Sequence, residues 1–574
     1  MNILLMAMNA KYIHSNLAVY SLRTYAKSKG VDTSIAEYTI NQTLDSILQD
    51  LYKRKPDLLA VSCYIWNITQ VEQLLADFHK VCPEVPIWLG GPEVSYQAET
   101  YLQAHPEVTG IICGEGESTF TELCKAYQEN KSIQNLSGIA YREPDGSIHK
   151  SESAGLMNLD DIPFCYEDLE EFENRIIYYE SSRGCPFRCS YCLSSIDKRV
   201  RFRSLSLVEK ELQFFIDHKV PQVKFVDRTF NARKDHAMAI WKYISDHDNG
   251  ITNFHFEVAA DLLTQEELEL LSAMRPGLVQ LEVGVQTTNE KTLQAIQRKT
   301  NLHKIWENAE YIHKCQNIHL HLDLIAGLPY EDLESFKKSF ADVYKAKPEQ
   351  LQLGFLKVLK GADMYVRKDE YDIVYTSRPP YEVLFTRWLS YEDVVELKAV
   401  EEMVENYYNS GQFTHVVERI CKEYENPYDF YKELAGYYQI KKLDNVSHSR
   451  MERYEILLGF MEERFLETYL MLKDFLLYDL YLREKVKSRP FWAPDAASWK
   501  EEARAFYKQE KAAPAYLQKY TEYDEKQMMR MTHLERFSYN VLGDGEPGTY
   551  MVLFDYQARN PLNKEARNLL VKPN

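Results

Sequence analysis

Two series of short apolar runs, each run followed by an amphipathic segment, fill the first 360 residues and leave few folds open to the chain. In the first series Ile3–Ala7, Thr33–Tyr38, Leu58–Ser62, Val85–Leu89 and Gly110–Cys113 read as strands, with helices over Ser15–Lys29, Thr43–Lys53, Val71–Val81 and Ser118–Glu129. Strand–helix alternation of this kind predicts a parallel sheet with helices on both faces. Ligands of such sheets lie beyond the carboxyl ends of the strands. Gly138–Ser151 reads as a hairpin turning at Asp145-Gly146, and Asn158–Glu171 as an acidic linker. The second series places strands at Ile176–Ser182, Gln222–Val226, Asn253–Ala259, Leu278–Val285, His319–Ile325 and Gln350–Lys357, the pattern of a partial or full (β/α) barrel.

Beyond about residue 370 the strand signal fades. Tyr391–Tyr408, Pro427–Gly436 and Arg450–Leu482 read as helices, Thr532–Phe537 as a helix start with a core Phe537, and Met551–Tyr556 as a late strand. The expected fold class is therefore α/β: an N-terminal Rossmann-like doubly wound parallel sheet (1–135), a hairpin and linker (136–172), a central (β/α)6-type partial TIM barrel (173–370) and a C-terminal, mostly helical domain (371–574). A chain of 574 residues has room for about three domains.

The net charge of −18, from 68 basic and 86 acidic residues, disfavours broad binding to nucleic acid or to an anionic membrane. It leaves room for a local basic groove, and the run Arg183–Arg203, with Arg188, Lys198, Arg199 and Arg201, is the candidate. The N-terminus has no basic leader, and no stretch approaches the roughly 20 apolar residues of a membrane span. A cytoplasmic location is the expectation. Of ten cysteines, seven (Cys63, Cys82, Cys113, Cys124, Cys165, Cys315, Cys421) are scattered, as in a reduced compartment. The 41 tyrosines concentrate beyond residue 370 and read as core and packing surface.

The other three cysteines are crowded into Arg183-Gly184-Cys185-Pro186-Phe187-Arg188-Cys189-Ser190-Tyr191-Cys192, directly after the first strand of the second series. Such a loop can bring three thiolates to three irons of a cubane. With no fourth cysteine nearby, one iron stays open, as a catalytic metal requires. The position is the carboxyl-end mouth of a barrel, where active sites are built. A zinc knuckle is the alternative; it needs a fourth ligand, and no histidine follows Cys192 before His218.

A Cys-x3-Cys-x-aromatic-Cys loop after the first barrel strand resembles the signature of radical S-adenosylmethionine (SAM) enzymes. The resemblance implies a [4Fe–4S] cluster on Cys185, Cys189 and Cys192, with SAM chelating the open iron through its amine and carboxylate. One electron then cleaves the sulfonium to a 5′-deoxyadenosyl radical. Tyr191 would lie against the adenine. Lys224–Asn231 resembles the "F-x-D-x-x-F" loop of cobalamin-type members, which makes Asp227 a hydrogen-bond acceptor near SAM. Glu257 ends the third strand and faces the mouth. Leu281–Thr287 resembles "E-x-G-x-Q-S", placing Glu282 or Gln286 at the SAM ribose, and Asp323–Pro329 resembles "D-x-I-x-G-L-P", behind the adenine. A one-electron donor such as flavodoxin or ferredoxin and a small-molecule or peptide substrate are implied as partners.

A parallel α/β domain before such a barrel resembles the cobalamin (B12)-binding class. Ser62, Gly90-Gly91 and Gly114-Glu115-Gly116-Glu117 would surround the corrin and nucleotide tail, since glycine lets backbone approach a bulky ligand. The cobalt-ligating "D-x-H-x-x-G" loop is absent. His14 lies in the equivalent loop without an Asp partner and reads as a loop or helix-start residue. No G-x-G-x-x-G follows the first strand, which excludes a dinucleotide fold. The implied reaction is methyl transfer to an unactivated centre, with cyclisation or rearrangement also found in the class. Two alternatives remain: a methylthiotransferase acting on tRNA or protein, whose second cluster would need cysteines in the α/β domain, and a chain whose N-terminal domain no longer binds cobalamin. A non-enzymatic sensor with a structural cluster would require a filled fourth corner.

Overall fold

The computed structural model describes residues 1–572. The chain divides into two compact units, one of residues 1–335 with 354–394 and one of residues 336–353 with 395–574.

The first unit opens with strands β1 (Ile3–Asn9), β2 (Ser34–Thr39), β3 (Leu58–Ser62), β4 (Ile87–Gly90) and β5 (Gly110–Ile112). They pair in parallel in the order β2-β1-β3-β4-β5. Every residue of β1 and β3 is buried, which explains why these segments read as unbroken apolar runs: helices cover both faces. The chain runs outward from β1 in one direction to β2 and in the other to β3, so a topological switch point lies beside β1. One expectation needs correction. The hairpin β6 (Ile139–Arg142) and β7 (Ile148–Lys150) is not part of a linker; it adds antiparallel to β5 and extends the sheet to seven strands. The edge of β5 would otherwise leave backbone groups unpaired. Gly110 is required here, because the Trp88 ring fills the space of its missing side chain, 2.5 Å from where a Cβ would stand.

The second series begins with β8 (Ile177–Tyr179). A two-residue ladder of β9 (Ser182–Arg183) and β10 (Arg201–Phe202) follows, and then β11 (Gln222–Phe225), β12 (Asn253–Glu257), β13 (Val279–Gln286) and β14 (His319–Ala326). β8, β11, β12, β13 and β14 pair in parallel in that order, and β15 (Gln350–Phe355) completes the six-stranded row. Burial alternates strictly along β13. Leu281, Val283 and Val285 are buried, while Gln280, Glu282 and Gln286 share the opposite face with Gly284, so this barrel has a polar lumen. Residues 354–394, including the short ladder β16 (Val374–Tyr375) and β17 (Val383–Phe385), belong to this unit rather than to the C-terminal domain.

The second unit is built on the helices Thr414–Cys421, Pro427–Ile440, Arg450–Arg464, Tyr469–Arg483 and Lys500–Ala512. It also contains a three-stranded antiparallel sheet, β18 (Thr532–Tyr539), β19 (Pro547–Arg559) and β20 (Ala566–Val571). Thr532–Phe537 is therefore strand, not a helix start. Thr532, Leu534 and Phe537 are buried against β19 and the helix Tyr469–Arg483. Glu535, also buried, is satisfied by Arg489 at 2.7 and 2.8 Å and by His533 at 3.0 Å. No helix among the described residues is long and apolar enough to cross a membrane.

Two glycines in well-defined surroundings respond oppositely to a methyl group. Gly110→Ala is expected to cost about 1–3 kcal/mol through overpacking against Trp88. Gly436→Ala, in the helix Pro427–Ile440 with nothing within 4 Å of the added Cβ, is expected to stabilise by about 0.4–1 kcal/mol. Thermal unfolding of the full chain, followed by circular dichroism, reads both signs.

Candidate functional site

The three-cysteine loop is closed at its base by the β9–β10 ladder, in which Arg183 pairs with Arg201. Gly184 starts the loop at φ +102°, and a Cβ there would meet the Arg199 carbonyl at 2.4 Å. Only glycine turns the chain here. Backbone bonds shape the rest: Cys185 N–H donates to Asp197 O (3.2 Å), Ser190 N–H to Ile296 O (2.9 Å) and Met364 N–H to Ser190 O (2.7 Å). Cys185 and Cys189 are buried and Cys192 is half-buried. Among the described residues the three sulfurs do not form a set with every donor within 4.8 Å. Thiolates on one tetrahedral zinc at about 2.3 Å would sit closer than that. Three separated thiols on one loop fit three irons of a cubane.

Two side chains reach these sulfurs. Thr229 Oγ1 lies 3.4 Å from Cys185 Sγ, and the buried Arg298 guanidinium donates to Cys189 Sγ at 3.6 Å. Burial pushes the Cys189 thiol up, and the Arg298 charge pulls it back. Arg298 also donates to the Gly284 carbonyl, joining the loop to β13. Tyr191 packs into a cluster with Ile296, Leu328 and Leu356, so the "G-L-P" segment does lie behind it.

Asp227 sits differently from the acceptor that the loop resemblance implies. Its carboxylate is 1% exposed and already accepts from Ser181 N–H (2.9 Å), Ser181 Oγ (2.7 Å) and Ser182 Oγ (2.6 Å). It fixes the strand that feeds the cysteine loop. Burial pushes its pKa up to about 6 against these bonds. Gln286 takes φ +72° and folds over Gly284, where a Cβ would stand 2.0 Å from its amide nitrogen. Its buried Oε1 has no hydrogen-bond partner. Glu282 lies one layer deeper, against Lys224 (3.2 Å) and His255 (2.9 Å). Burial alone would raise Glu282, but His255 and Lys224 hold it down at about 2. For Glu257, its register neighbour, burial prevails over the charges of Arg228 and Lys224, and it rises to about 7.

The carboxyl ends of the α/β sheet and the cysteine-loop side of the barrel enclose a cavity of about 1270 Å³. That exceeds the roughly 300–1,000 Å³ of drug-sized ligand pockets. Ser62, Gly90, Gly91 and Gly114 line it from the sheet, and Arg183, Leu193 and Arg228 from the barrel. Gly91, at φ +111°, would place a Cβ 2.4 Å from the Cys63 carbonyl, while a Cβ on Gly114 would meet nothing within 4 Å. Both glycines take a left-handed φ, Gly114 at +87°, but only at Gly91 would a side chain also collide with backbone. His14 lines the cavity too, but its Nδ1 is taken by the Tyr178 hydroxyl at 2.7 Å and its backbone bridges to Ile176. It joins sheet to barrel.

The basic run is only partly engaged in ion pairs, and Arg188, Lys198 and Arg199 are exposed. Arg183 is spent on Glu117 (2.9 Å) and Glu180 (2.7 Å), Arg201 on Glu115, and Arg203 on Glu211. Glu115 and Glu117 belong to the Gly-Glu-Gly-Glu loop, so ion pairs tie that loop to both ends of the cysteine loop. Sequence reading missed these pairs, Arg298, Thr229 and the lumen residues Lys224, His255 and His321. Lys224 and Thr229 fall within the Lys224–Asn231 motif without being its marked positions, and the others carry no local signal beyond their charge.

Family profiles match three segments: "B12 binding domain" over residues 3–124, "Radical SAM superfamily" over 179–343 and "Protein of unknown function (DUF4080)" over 369–554. A cobalamin-dependent radical SAM methyltransferase, TokK, from Streptomyces tokunonensis is 23% identical over 60% of this chain and 53% of its own length. An anaerobic magnesium-protoporphyrin IX monomethyl ester cyclase from Rubrivivax gelatinosus is 22% identical over 52% of this chain and 55% of its own. The chain thus spans about half the length of the curated relatives it matches. Among solved structures, the cobalamin-dependent SAM radical enzyme OxsB aligns over 83% of this chain and 79% of its own with a TM-score of 0.59 at 16% identity. The radical SAM methyltransferase TsrM from Kitasatospora setae covers 66% of this chain and 80% of its own with a TM-score of 0.55, also at 16% identity. At these identities the structural likeness concerns the fold.

The Glu257 carboxyl titrates at about 7 in the folded chain against 4.5 for an ordinary glutamate. A raised carboxyl pKa contributes stability below about pH 4.5 that is lost as pH rises through 7. Relative to Glu257→Gln, the native chain is expected to lose about 1–3 kcal/mol between pH 4.5 and 7.5. Urea unfolding of both proteins across that range measures the difference, and parallel curves would contradict it.

Proposed function

We propose that this chain, which carries a B12-binding domain followed by a radical SAM domain, is a cobalamin-dependent radical SAM enzyme whose cluster is held by Cys185, Cys189 and Cys192. One observation supports this above the others: three thiols on a single loop stand at the barrel mouth, on the side where a cavity of about 1270 Å³ meets the glycine-lined strand ends of the α/β sheet. When bound, the [4Fe–4S] cluster and SAM supply a 5′-deoxyadenosyl radical, and the corrin supplies a carrier for a methyl group.

The chain's own residues bind, orient and tune. Arg298 donates to Cys189 Sγ, so charge on that thiolate is partly offset, while the Thr229 hydroxyl, which donates to the Arg228 carbonyl, packs beside Cys185 Sγ. Tyr191, fixed in an apolar cluster, offers a ring for the adenine, and the Gln286 amide, whose buried oxygen has no protein partner, is the polar group for the ribose. Asp227 acts as a positioning residue through Ser181 and Ser182. Ser62, Gly90, Gly91 and Gly114 would face the corrin and its tail. Methyl transfer to an unactivated centre is the favoured reaction, on a small molecule or peptide, with electrons from a flavodoxin- or ferredoxin-type donor in a reducing cytoplasm.

The methylthiotransferase reading loses its ligands. Cys82 precedes β4 at the amino ends of the strands, opposite Cys63 and Cys113, and Cys124 is fully buried in the helix Gly116–Gln128. Three of these thiols cannot meet at one cluster.

Anaerobic reconstitution with iron, sulfide, hydroxocobalamin and SAM tests the proposal. Expected are about four irons and one corrin retained per chain, an EPR signal of the reduced protein that changes with SAM, and 5′-deoxyadenosine as product. Alanine at any one of the three cysteines should lower product formation by about 100-fold or more. Failure to retain corrin would remove the cobalamin half, and eight irons would restore the methylthiotransferase. A finer expectation concerns Arg298. Arg298→Gln removes a cation and an N–H···S bond, so the cluster potential should become more negative while its iron content is unchanged; redox titration by EPR reads the shift.

A further inference from the structure

We infer that the barrel lumen holds a divalent first-row transition-metal ion, separate from the cysteine loop, on Glu282, His321 and Asp323, with His255 as a fourth ligand. These residues come from three adjacent strands. Glu282 on β13 is the register partner of His321 on β14, Asp323 lies two residues further along the same face of β14, and His255 stands on β12. Strand-borne ligands in fixed register are held more rigidly than loop ligands.

The donor geometry is that of a coordination shell. One donor atom each from Glu282, His321 and Asp323 lie within 4.8 Å of one another. His321 Nε2 is 3.0 Å from Asp323 Oδ1, and His255 Nε2 is 2.9 Å from Glu282 Oε2. Ligand atoms about 2.0–2.2 Å from one ion stand about 3 Å apart where they subtend a right angle. These contacts are within hydrogen-bonding distance but poorly directed. His255 Nε2, His321 Nε2 and Asp323 Oδ1 are all buried without a directed hydrogen-bond partner, and both histidines are only 6% exposed. Donors that crowd together yet do not point at one another are aimed at a shared third point, and buried polar atoms left without partners are rare.

Lys224 is the competitor: its Nζ lies 3.2 Å from Glu282 Oε2, so an ion must share that carboxylate or displace the ammonium. Two imidazoles with two carboxylates and no thiolate suit zinc, iron(II) or manganese better than magnesium or calcium. An ion with an open position in this lumen would bind a substrate through a carboxylate, phosphate or carbonyl oxygen.

The inference stands apart from the cluster, and so does its test. A chain with Cys185, Cys189 and Cys192 all changed to Ala cannot hold the cubane. Untagged protein of this kind, dialysed with Zn2+ and then exhaustively against buffer, is expected to retain one zinc per chain by plasma mass spectrometry. Loaded with Co2+ instead, it should show ligand-field bands without thiolate-to-cobalt charge transfer. His321→Ala and Asp323→Asn on the same background should weaken binding by about 100-fold or more. Zinc counted separately from iron in the reconstituted, cysteine-intact protein guards against misfolding of the triple variant. Substoichiometric zinc in both proteins, or zinc retained undiminished by both ligand variants, would overturn the assignment and leave the four side chains as a proton-sharing network.

Discussion

The cysteine loop is held in place by charge. Arg183 and Arg201 face each other across the two-residue ladder at its base, and each reaches a glutamate of the Gly114–Glu117 loop on the α/β sheet. Glu117 is 5% exposed, and although burial opposes ionisation, the Arg183 charge keeps it ionised. Buried ion pairs are poor general stabilisers, because desolvation offsets much of their attraction, but breaking one by removing a partner costs about 3–5 kcal/mol. Their value here is orientation. The guanidinium forks admit few geometries. A loop of 17 residues between the ladder strands, with little secondary structure of its own, is thereby registered against the strand ends across the cavity.

The lumen depends on a second set of balances. Glu257 and Glu282 stand side by side in register, yet one carboxyl is displaced to about 7 and the other to about 2. Both are desolvated; the difference is the company each keeps. Glu282 touches a lysine and an imidazole, whereas at Glu257 burial and repulsion from Glu282 outweigh the charges of Arg228 and Lys224. Carboxyls whose environments drive their pKa values apart are how a site carries both a fixed negative charge and a group able to give or take a proton near neutrality. The strict alternation of β13 puts these groups in the lumen and their apolar neighbours against the helices.

Much of this was legible in the sequence, and the limits of legibility have physical causes. Strands β1 and β3 of the α/β sheet could be read because strands buried on both faces must be apolar throughout, and β13 of the barrel because its apolar residues alternate with polar ones. The cysteine spacing was legible because a cluster's ligands must be local. Pairings decided by distant partners were not. β18 looks helical until β19 supplies its ladder, and the hairpin β6–β7, legible as a hairpin, shows no sign of joining the sheet until the edge of β5 claims it. Charged residues misled in the same way. Arg183, Arg201 and Arg203 read as a basic groove, but their carboxylates stand 66, 86 and 8 positions away in the chain. Asp227 carries the motif's letter, but two serines before the loop already donate to it.

The tyrosine richness beyond residue 370 finds its explanation in the second unit. A buried phenol must place its hydroxyl against a partner. Here many do so with each other or with backbone: Tyr407 with Tyr438 at 2.7 Å, Tyr344 with Tyr431 at 3.3 Å, and Tyr454 with the Gln412 carbonyl at 2.8 Å. Tyr344 also approaches the Cys421 sulfur at 3.4 Å. Each ring supplies as much apolar surface as a phenylalanine, and each hydroxyl adds a directional constraint that an all-aliphatic interior lacks. The composition therefore reflects a core built from paired hydroxyls. A substrate-contacting role for any one of these tyrosines would have to be argued from a hydroxyl left over after that pairing, and the tyrosines named here have none to spare.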